Sequence, residues 1–171
     1  NARLSRRIVL WIFASIVAIE VVILIPSYYR RQRELLSQLE RVSQSNVESL
    51  VRFTKQEMSD ESQLLRKVEI LVGDPVIAGI RVYDNSGTLL GEFGQPPALS
   101  FEDIDDRERA ICERRWSGAW YDVTWSTRPL GANYFFIIRH NATSVRRELY
   151  AFTGRIAGLV LLISAFVTGV T

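Results

Sequence analysis

Cysteine and histidine are almost missing from this chain of 171 residues, which contains one of each. The single cysteine, Cys112, excludes an intramolecular disulfide and a zinc cluster built from cysteine ligands. The single histidine, His140, removes most metal sites and catalytic triads, and we expect it to be a structural hydrogen-bonding group. We therefore expect no enzyme activity, no catalytic residue, no metal and no cofactor in this segment.

The chain also lacks an excess of either charge, because 21 lysines and arginines stand against 19 aspartates and glutamates. Acidic residues accompany nearly every basic cluster, whereas a nucleic-acid-binding protein concentrates basic side chains on one face. We therefore expect no nucleic-acid partner. A hydrophobic content of 47% and a mean hydropathy of +0.05 exclude a disordered tail, and the length suits one folded core.

The apolar residues are concentrated at the two ends of the chain. Residues 8–26 carry one charge, at Glu20, and their apolar run spans about 27 Å as a helix, close to the roughly 30 Å hydrocarbon core of a bilayer. Trp11 lies near one end of this run, and Tyr28 and Tyr29 lie just past the other, where aromatic side chains favour the lipid headgroups. The pattern predicts a membrane-spanning helix that is longer than the apolar part of a signal peptide.

A second apolar run occupies residues 153–171 and reaches the last residue without a polar flank. It predicts a second, truncated transmembrane helix and a longer natural protein. Three arginines in residues 1–7 favour a cytoplasmic N-terminal flank, and a loop of more than about 60 residues crosses the membrane largely regardless of charge. We expect a two-pass protein of the plasma (inner) membrane with an extracytoplasmic central domain.

Small residues four positions apart occur in both apolar runs, as Ala14 with Ala18 and as Gly154 with Gly158. This spacing lets helix backbones approach closely, so it is a candidate for packing and signalling within the membrane. Glu20 is costly at membrane depth. It either lies close to the outer interface or forms a hydrogen bond across a bundle of transmembrane helices, and the sequence leaves both possibilities open.

Residues 27–72 contain no glycine or proline and predict a long membrane-proximal stalk helix, with a capping pattern that suggests a break near residue 59. Its apolar residues recur about every 3.5 positions, at Leu36, Leu39, Val47, Leu50, Met58, Leu65, Val68 and Val72, with polar interruptions at Ser43, Thr54 and Glu61. The repeat fits an amphipathic helix on its own domain's core, or the seam of a homodimer in which two chains pair. Both interpretations stay open.

Residues 73–140 carry the patterns of an antiparallel sheet. Four segments read as strands, namely 76–84, 88–93, 119–127 and 133–140, and the first two flank the turn Asn85-Ser86-Gly87. Ser100 followed by Asp103 predicts a helix between the two hairpins. A further helix over 141–152 connects this domain to the second apolar run.

The first hairpin reads Ile80-Arg81-Val82-Tyr83-Asp84-Asn85-Ser86-Gly87-Thr88-Leu89-Leu90 after the entry Asp74-Pro75-Val76. With the basic-flanked apolar helix and the stalk, it resembles the input region of bacterial two-pass transmembrane sensor proteins with a small PAS-like domain of the single-Cache type. The resemblance implies an α+β fold in which two transmembrane helices flank an antiparallel sheet with a long membrane-proximal stalk helix. It also implies a homodimer and an output module beyond a HAMP-type linker, both outside this chain. Sheets of that family usually have five strands.

A ligand pocket is expected on one face of the sheet, because several aromatic and charged residues alternate along the strands. The candidate residues are Arg81, Tyr83, Trp120, Asp122, Trp125, Arg128 and Arg139. Arginine presents a planar fork that suits carboxylates or phosphates. Alternatively, these arginines cover aromatic surface or form ion pairs with Asp122 and Glu92.

The sequence therefore predicts the sensory input region of a dimeric transmembrane receptor. An extracytoplasmic stimulus, such as a small-molecule ligand, would pass through the second transmembrane helix to a histidine kinase or nucleotide cyclase. The alternative is a passive membrane anchor and dimerisation module whose outer domain binds a protein partner or no ligand.

Overall fold

The computed structural model describes residues 2–56, 61–104 and 109–170, and over these ranges the chain forms three α-helices and one antiparallel sheet. The elements are α1 (Ala2–Gln56), α2 (Glu61–Leu71), β1 (Ile77–Asp84), β2 (Leu89–Gly94), β3 (Ile111–Ser117), β4 (Trp120–Ser126), β5 (Tyr134–Asn141) and α3 (Thr143–Val170). They form two compact units. One is the sheet domain, Leu36–Ser144, and the other combines α1 up to Leu35 with α3 from Val145.

The predicted fold class, with two transmembrane helices flanking the sheet domain, is wrong in its membrane part. Among the described residues, α1 alone contains a window long and apolar enough to cross a membrane, with a mean hydropathy of 2.0. The second span predicted over 153–171 falls within α3, which carries Arg146, Arg147, Glu148 and Arg155.

The predicted border between a transmembrane helix and a stalk at residue 26 is not a break in the backbone. Helix α1 continues through Pro26 from Ala2 to Gln56, so the apolar run and the first part of the stalk form one element. The predicted break near residue 59 lies outside the described residues, as does Met58, between the end of α1 and the start of α2 at Glu61.

The sheet has five strands in the order β2-β1-β5-β4-β3, and every neighbouring pair is antiparallel. The strand that the sequence did not reveal is β3, an edge strand whose Arg114 and Arg115 are exposed, so it lacks the alternation of a half-buried strand. The helix predicted to begin at Ser100 is a single 3₁₀ turn, Phe101–Asp103. Its capping box does form, because the carboxylate of Asp103 accepts hydrogen bonds from the backbone and the hydroxyl of Ser100.

The three central strands are buried on both faces, which we call the helix face and the strap face. Alternation along β5 places Phe136, Ile138 and His140 on the helix face, and Phe135, Ile137 and Arg139 on the strap face. The strap is the segment 95–104, which crosses the second face. Its Leu99 and Ile104 are buried in one apolar cluster with Tyr83, Phe135 and Ile137.

Helix α1 covers the helix face with one stripe of side chains. Ser43, Val47 and Leu50 are buried and are spaced as one helix face, and Ser43 contacts His140 of β5. The apolar repeat of the stalk therefore serves the core of its own domain over this stretch. The same residues are not free to form a seam with a second chain.

Candidate functional site

A buried ion pair lies beneath the strap. The guanidinium of Arg139 donates two hydrogen bonds to the carboxylate of Asp122, both of 2.8 Å, from the neighbouring strand. The side chains are 12% and 2% exposed. The same carboxylate accepts a 2.6 Å hydrogen bond from the backbone N–H of Ala98. Such charge-assisted, bidentate bonds are among the strongest that side chains make, so Asp122 fixes the strap to β4 and β5.

Two further arginines hold the strap at its backbone. Arg81 forms an ion pair with Glu92 and donates to the carbonyls of Pro97 at 3.1 Å and Leu99 at 3.4 Å. Arg115 donates to the carbonyl of Ala98 at 3.2 Å and to the carboxylate of Asp103 at 3.2 Å. The first half of the strap is thus attached to the sheet by polar contacts.

The second half of the strap is attached mainly by apolar contacts, apart from the bond between Arg115 and Asp103. Its Phe101 ring lies 5.4 Å from the ring of Tyr83 and 5.5 Å from that of Phe135, in addition to the buried Leu99 and Ile104. These side chains occupy the space between the strap and the sheet. A ligand bound on this face would have to displace part of the strap.

The structure brings together five of the seven predicted ligand-binding residues, because the ring of Tyr83 also contacts Phe101 of the strap. Arg81, Asp122 and Arg139 contact the strap or each other, and the guanidinium of Arg139 lies 5.8 Å from the ring centre of Trp120. Arg139 thus both pairs with Asp122 and covers an aromatic ring, and Arg81 pairs with Glu92. This matches the alternative interpretation, in which the arginines serve the fold.

The other two predicted residues lie elsewhere. Arg128 bonds to Asn85 and lies 5.5 Å from the ring centre of Phe135. Trp125 is separated from Asp122 by an odd number of positions on β4, so it points to the helix face.

One buried hydroxyl on the strap face has no hydrogen-bond partner. Thr124 is fully buried two residues after Asp122, and it shares a row of the sheet with Ile137 and Arg81. In the described part of the chain, the buried side-chain polar atoms without a hydrogen-bond partner are Thr124 Oγ1 and, on the helix face, Trp125 Nε1. Buried polar groups normally have a partner, so the hydroxyl of Thr124 is a group that a polar ligand could satisfy.

A second polar cluster, which the sequence did not reveal, joins α1 to the helix face. His140 Nδ1 lies 2.9 Å from the carbonyl oxygen of Tyr121, and Nε2 contacts the hydroxyl of Ser43. The phenol of Tyr121 donates to the carboxylate of Glu40, which also accepts from Arg114 at 2.7 Å. The only signal in the sequence was the interruption of the apolar repeat at Ser43.

Burial shifts the titration of both rings in this cluster. It lowers the pKa of His140 below 6.5, although the Tyr121 carbonyl and the carboxylates of Asp122 and Glu40 act in the opposite direction. Burial, followed by the hydrogen bond to the Glu40 carboxylate, raises the pKa of Tyr121. Both groups are therefore neutral near pH 7, and His140 fits its expected role as a hydrogen-bonding group.

The lowered pKa of His140 predicts a loss of stability in acid. Below about pH 6.5 the unfolded chain binds a proton that folded His140 resists, so the free energy of unfolding falls as the pH falls. We expect urea unfolding to show this loss between about pH 7.5 and pH 5.5, above the range in which most carboxylates titrate. His140→Gln should reduce the pH dependence in that window, and an unchanged slope contradicts the prediction.

The residues predicted to pack within the membrane make few contacts inside one chain. Ala14 and Ala18 are exposed and Glu20 is half-buried. A Cβ atom added to Gly154 or Gly158 would meet no atom within 4 Å. Close helix packing at these positions therefore requires a partner beyond this chain.

A further groove offers fewer groups that could bind a ligand. An open groove of about 620 Å³ is lined by Asp84, Asn85, Ser86 and Asn133, among others. The Asp84 carboxylate already accepts hydrogen bonds from Ser86 and Thr88. Over the ranges that the structure describes, no group of three His, Cys, Asp or Glu side chains is placed to hold a metal ion.

No protein-family model matches the chain, and no curated protein is significantly similar to it.

Proposed function

We propose that this chain is the sensory input region of a membrane-anchored signal-transduction receptor, similar to those with a PAS-like, single-Cache domain. The apolar run of α1 supports a membrane anchor, and the five strands agree with the number usual in that family. In this proposal the sheet domain is extracytoplasmic at the plasma (inner) membrane. The resemblance implies an output module of the histidine kinase or nucleotide cyclase type.

The observation that carries the proposal is the placement of two adjacent residues on β5. Arg139 holds the ion pair under the strap, and His140 contacts Ser43 of α1 on the opposite face. Helix α3 begins three residues after His140, at Thr143. A shift of β5 caused by movement of the strap would thus reach both the contact with α1 and the start of α3.

The strap face also offers chemistry for a small polar ligand. Displacement of the first half of the strap would expose the carboxylate of Asp122, the guanidinium of Arg139 and the unpartnered hydroxyl of Thr124. A small molecule that carries an N–H donor for Asp122 and an anionic acceptor for Arg115 could replace the contacts of Ala98. Such a ligand shifts the equilibrium only by the difference between its affinities for the open and closed strap.

Thr124→Val is the variant that tests this site. It removes the unpartnered hydroxyl without changing the shape of the side chain, so the free protein should be as stable as wild type or more so. We would screen amino acids by thermal unfolding of the full chain in detergent. A binder present at about 100 times its Kd raises Tm by about 5–10 °C, and Thr124→Val should cut that increase to about half, because loss of one hydrogen bond weakens binding by up to about tenfold. If none of these compounds raises Tm, the proposed ligand site is wrong.

The second candidate function is a passive membrane anchor and dimerisation module that binds a protein partner or no ligand. The filled space beneath the strap favours it, because Leu99 and Ile104 already occupy the position a ligand would take. A flat response to every compound in the screen would select this alternative.

We further propose that the receptor is a homodimer through the apolar part of α1. Ala14 and Ala18 are exposed there with the spacing that favours close helix contact, and Glu20 is half-buried nearby. The stripe of α1 that contains Val47 and Leu50 is already covered, so the membrane part is the surface left for pairing.

A further inference from the structure

The unit formed by α1 up to Leu35 and α3 contains a cleft of about 350 Å³, which we call the arginine cleft. Its lining residues are Arg31, Glu148, Ala151, Phe152 and Arg155. Two guanidinium groups from two helices therefore border one small cavity. The alanine and the half-buried phenylalanine give that cavity an apolar wall.

The charges around the cleft leave one arginine available. Arg31 forms ion pairs with Glu148 and, at 3.4 Å, with Glu34, so its charge is largely compensated. Arg155 is exposed, and the described part of the chain contains no ion pair to it. With two cations and one anion among its lining residues, the cleft favours a monoanion.

The position of the cleft relative to the apolar run of α1 points to the source of that anion. Arg31 follows Ile25 by six residues, which places its backbone about 9 Å beyond the end of the run. The headgroup layer on each side of a bilayer is about 5–7 Å thick, and a long arginine side chain reaches back toward it. Along α1, Tyr28 and Tyr29 lie between the end of the apolar run and Arg31, at the depth where aromatic rings favour the headgroups.

We propose that the arginine cleft binds a phosphate ester, presented by the headgroup of an anionic phospholipid. Arg155 supplies the free guanidinium, whose planar fork matches two phosphate oxygens, and Arg31 is held in place by Glu148. Phe152 and Ala151 contact the glycerol part of the lipid. The proposal rests on the membrane anchor proposed above, and it is independent of the sensory role of the sheet domain.

Native mass spectrometry of the full chain with equal amounts of phosphatidylglycerol and phosphatidylcholine tests this site. Wild type should retain phosphatidylglycerol selectively, and Arg155→Gln should lower that selectivity about fivefold, the contribution of one basic residue near a charged bilayer. Arg155→Lys should keep part of the selectivity, because the charge remains while the planar fork is lost. Arg146→Gln is the matched control, since Arg146 is exposed on the same helix and does not line the cleft.

Two results overturn the proposal: equal selectivity in wild type and Arg155→Gln, or an equal loss in Arg146→Gln. Competition by glycerol 3-phosphate, a phosphate ester that is not a lipid, tests whether the ligand has to come from a membrane. If it displaces phosphatidylglycerol at a similar concentration, the phosphate site stands and its ligand is a soluble phosphate ester. If the chain does not enter lipid nanodiscs, the proposed membrane anchor is wrong. That result is distinct from a loss of phosphate binding at the arginine cleft.

Discussion

Asp122→Ala is expected to lower the free energy of unfolding by about 3–5 kcal/mol, the usual effect of removing one partner of a buried ion pair. The substitution leaves the guanidinium of Arg139 buried without its carboxylate, since that side chain is 12% exposed. It also removes the acceptor of the Ala98 N–H, so the strap loses an attachment to the sheet. Urea unfolding of the full chain in detergent, followed by tryptophan fluorescence, measures the change.

Two control variants separate the buried charge from general effects of substitution. Arg115→Gln breaks an ion pair with Asp103 in which the side chains are 47% and 34% exposed, so it should cost less than about 1 kcal/mol. The double variant Asp122→Leu with Arg139→Met removes both charges and should recover most of the loss, because an apolar pair often replaces a buried ion pair without penalty. A double variant as unstable as Asp122→Ala contradicts this explanation.

The sequence predicted the parts of the sheet that carry local signals. The turn between β1 and β2 was predictable from Asn85-Ser86-Gly87, because Gly87 has a φ of +90°, which only glycine adopts readily. Strand β4 alternates between polar and apolar residues from Asp122 to Ser126, whereas β5 is marked by a short run of aromatic and β-branched residues, Phe135 to Ile138. Edge strand β3 has no such alternation, because Arg114 and Arg115 are both exposed although they lie on opposite faces of the sheet, and a pattern of local burial cannot reveal it.

The prediction of two membrane-spanning helices was wrong for a different reason. Hydropathy alone predicted a second span over 153–171, but among the described residues only α1 contains a segment long and apolar enough to cross a membrane, and α3 begins with charged residues. Helix α1 continues through Pro26, so its backbone does not mark where the apolar run ends and the stalk begins. Composition thus located apolar segments without giving the limits of the helices that contain them.

The candidate site was predictable only within single strands. Alternation places Asp122 and Arg139 on defined faces of their own strands, but their ion pair depends on the register between β4 and β5, which aligns them directly. The contacts of Glu40 and Ser43 are still harder to predict, because Ser43 and His140 are separated by 97 residues in the chain. Such contacts follow from the docking of α1 on the sheet rather than from any local pattern.

Phe135→Ala is expected to lower the free energy of unfolding by about 3–5 kcal/mol, the range for truncation of a fully buried phenylalanine. Phe135 is 0% exposed and lies between the strap and the sheet, where its ring contacts Phe101 and the guanidinium of Arg128. Truncation opens a cavity beneath the apolar half of the strap. Urea unfolding gives the size of the loss, and hydrogen exchange at the strap amides shows where it acts.

The two halves of the strap are distinguished by which of their backbone amides show faster hydrogen exchange. In Phe135→Ala we expect faster exchange at Ile104, whose N–H donates to the carbonyl of Phe101, than at Ala98, which Asp122 still holds. Asp122→Ala should reverse that order. Leu89→Ala is the control for loss of an apolar side chain, because Leu89 is 49% exposed and its truncation should change stability by no more than about 0.5 kcal/mol. Uniform acceleration along the strap in both variants would mean that the strap opens as one unit, contrary to the separate polar and apolar attachments described above.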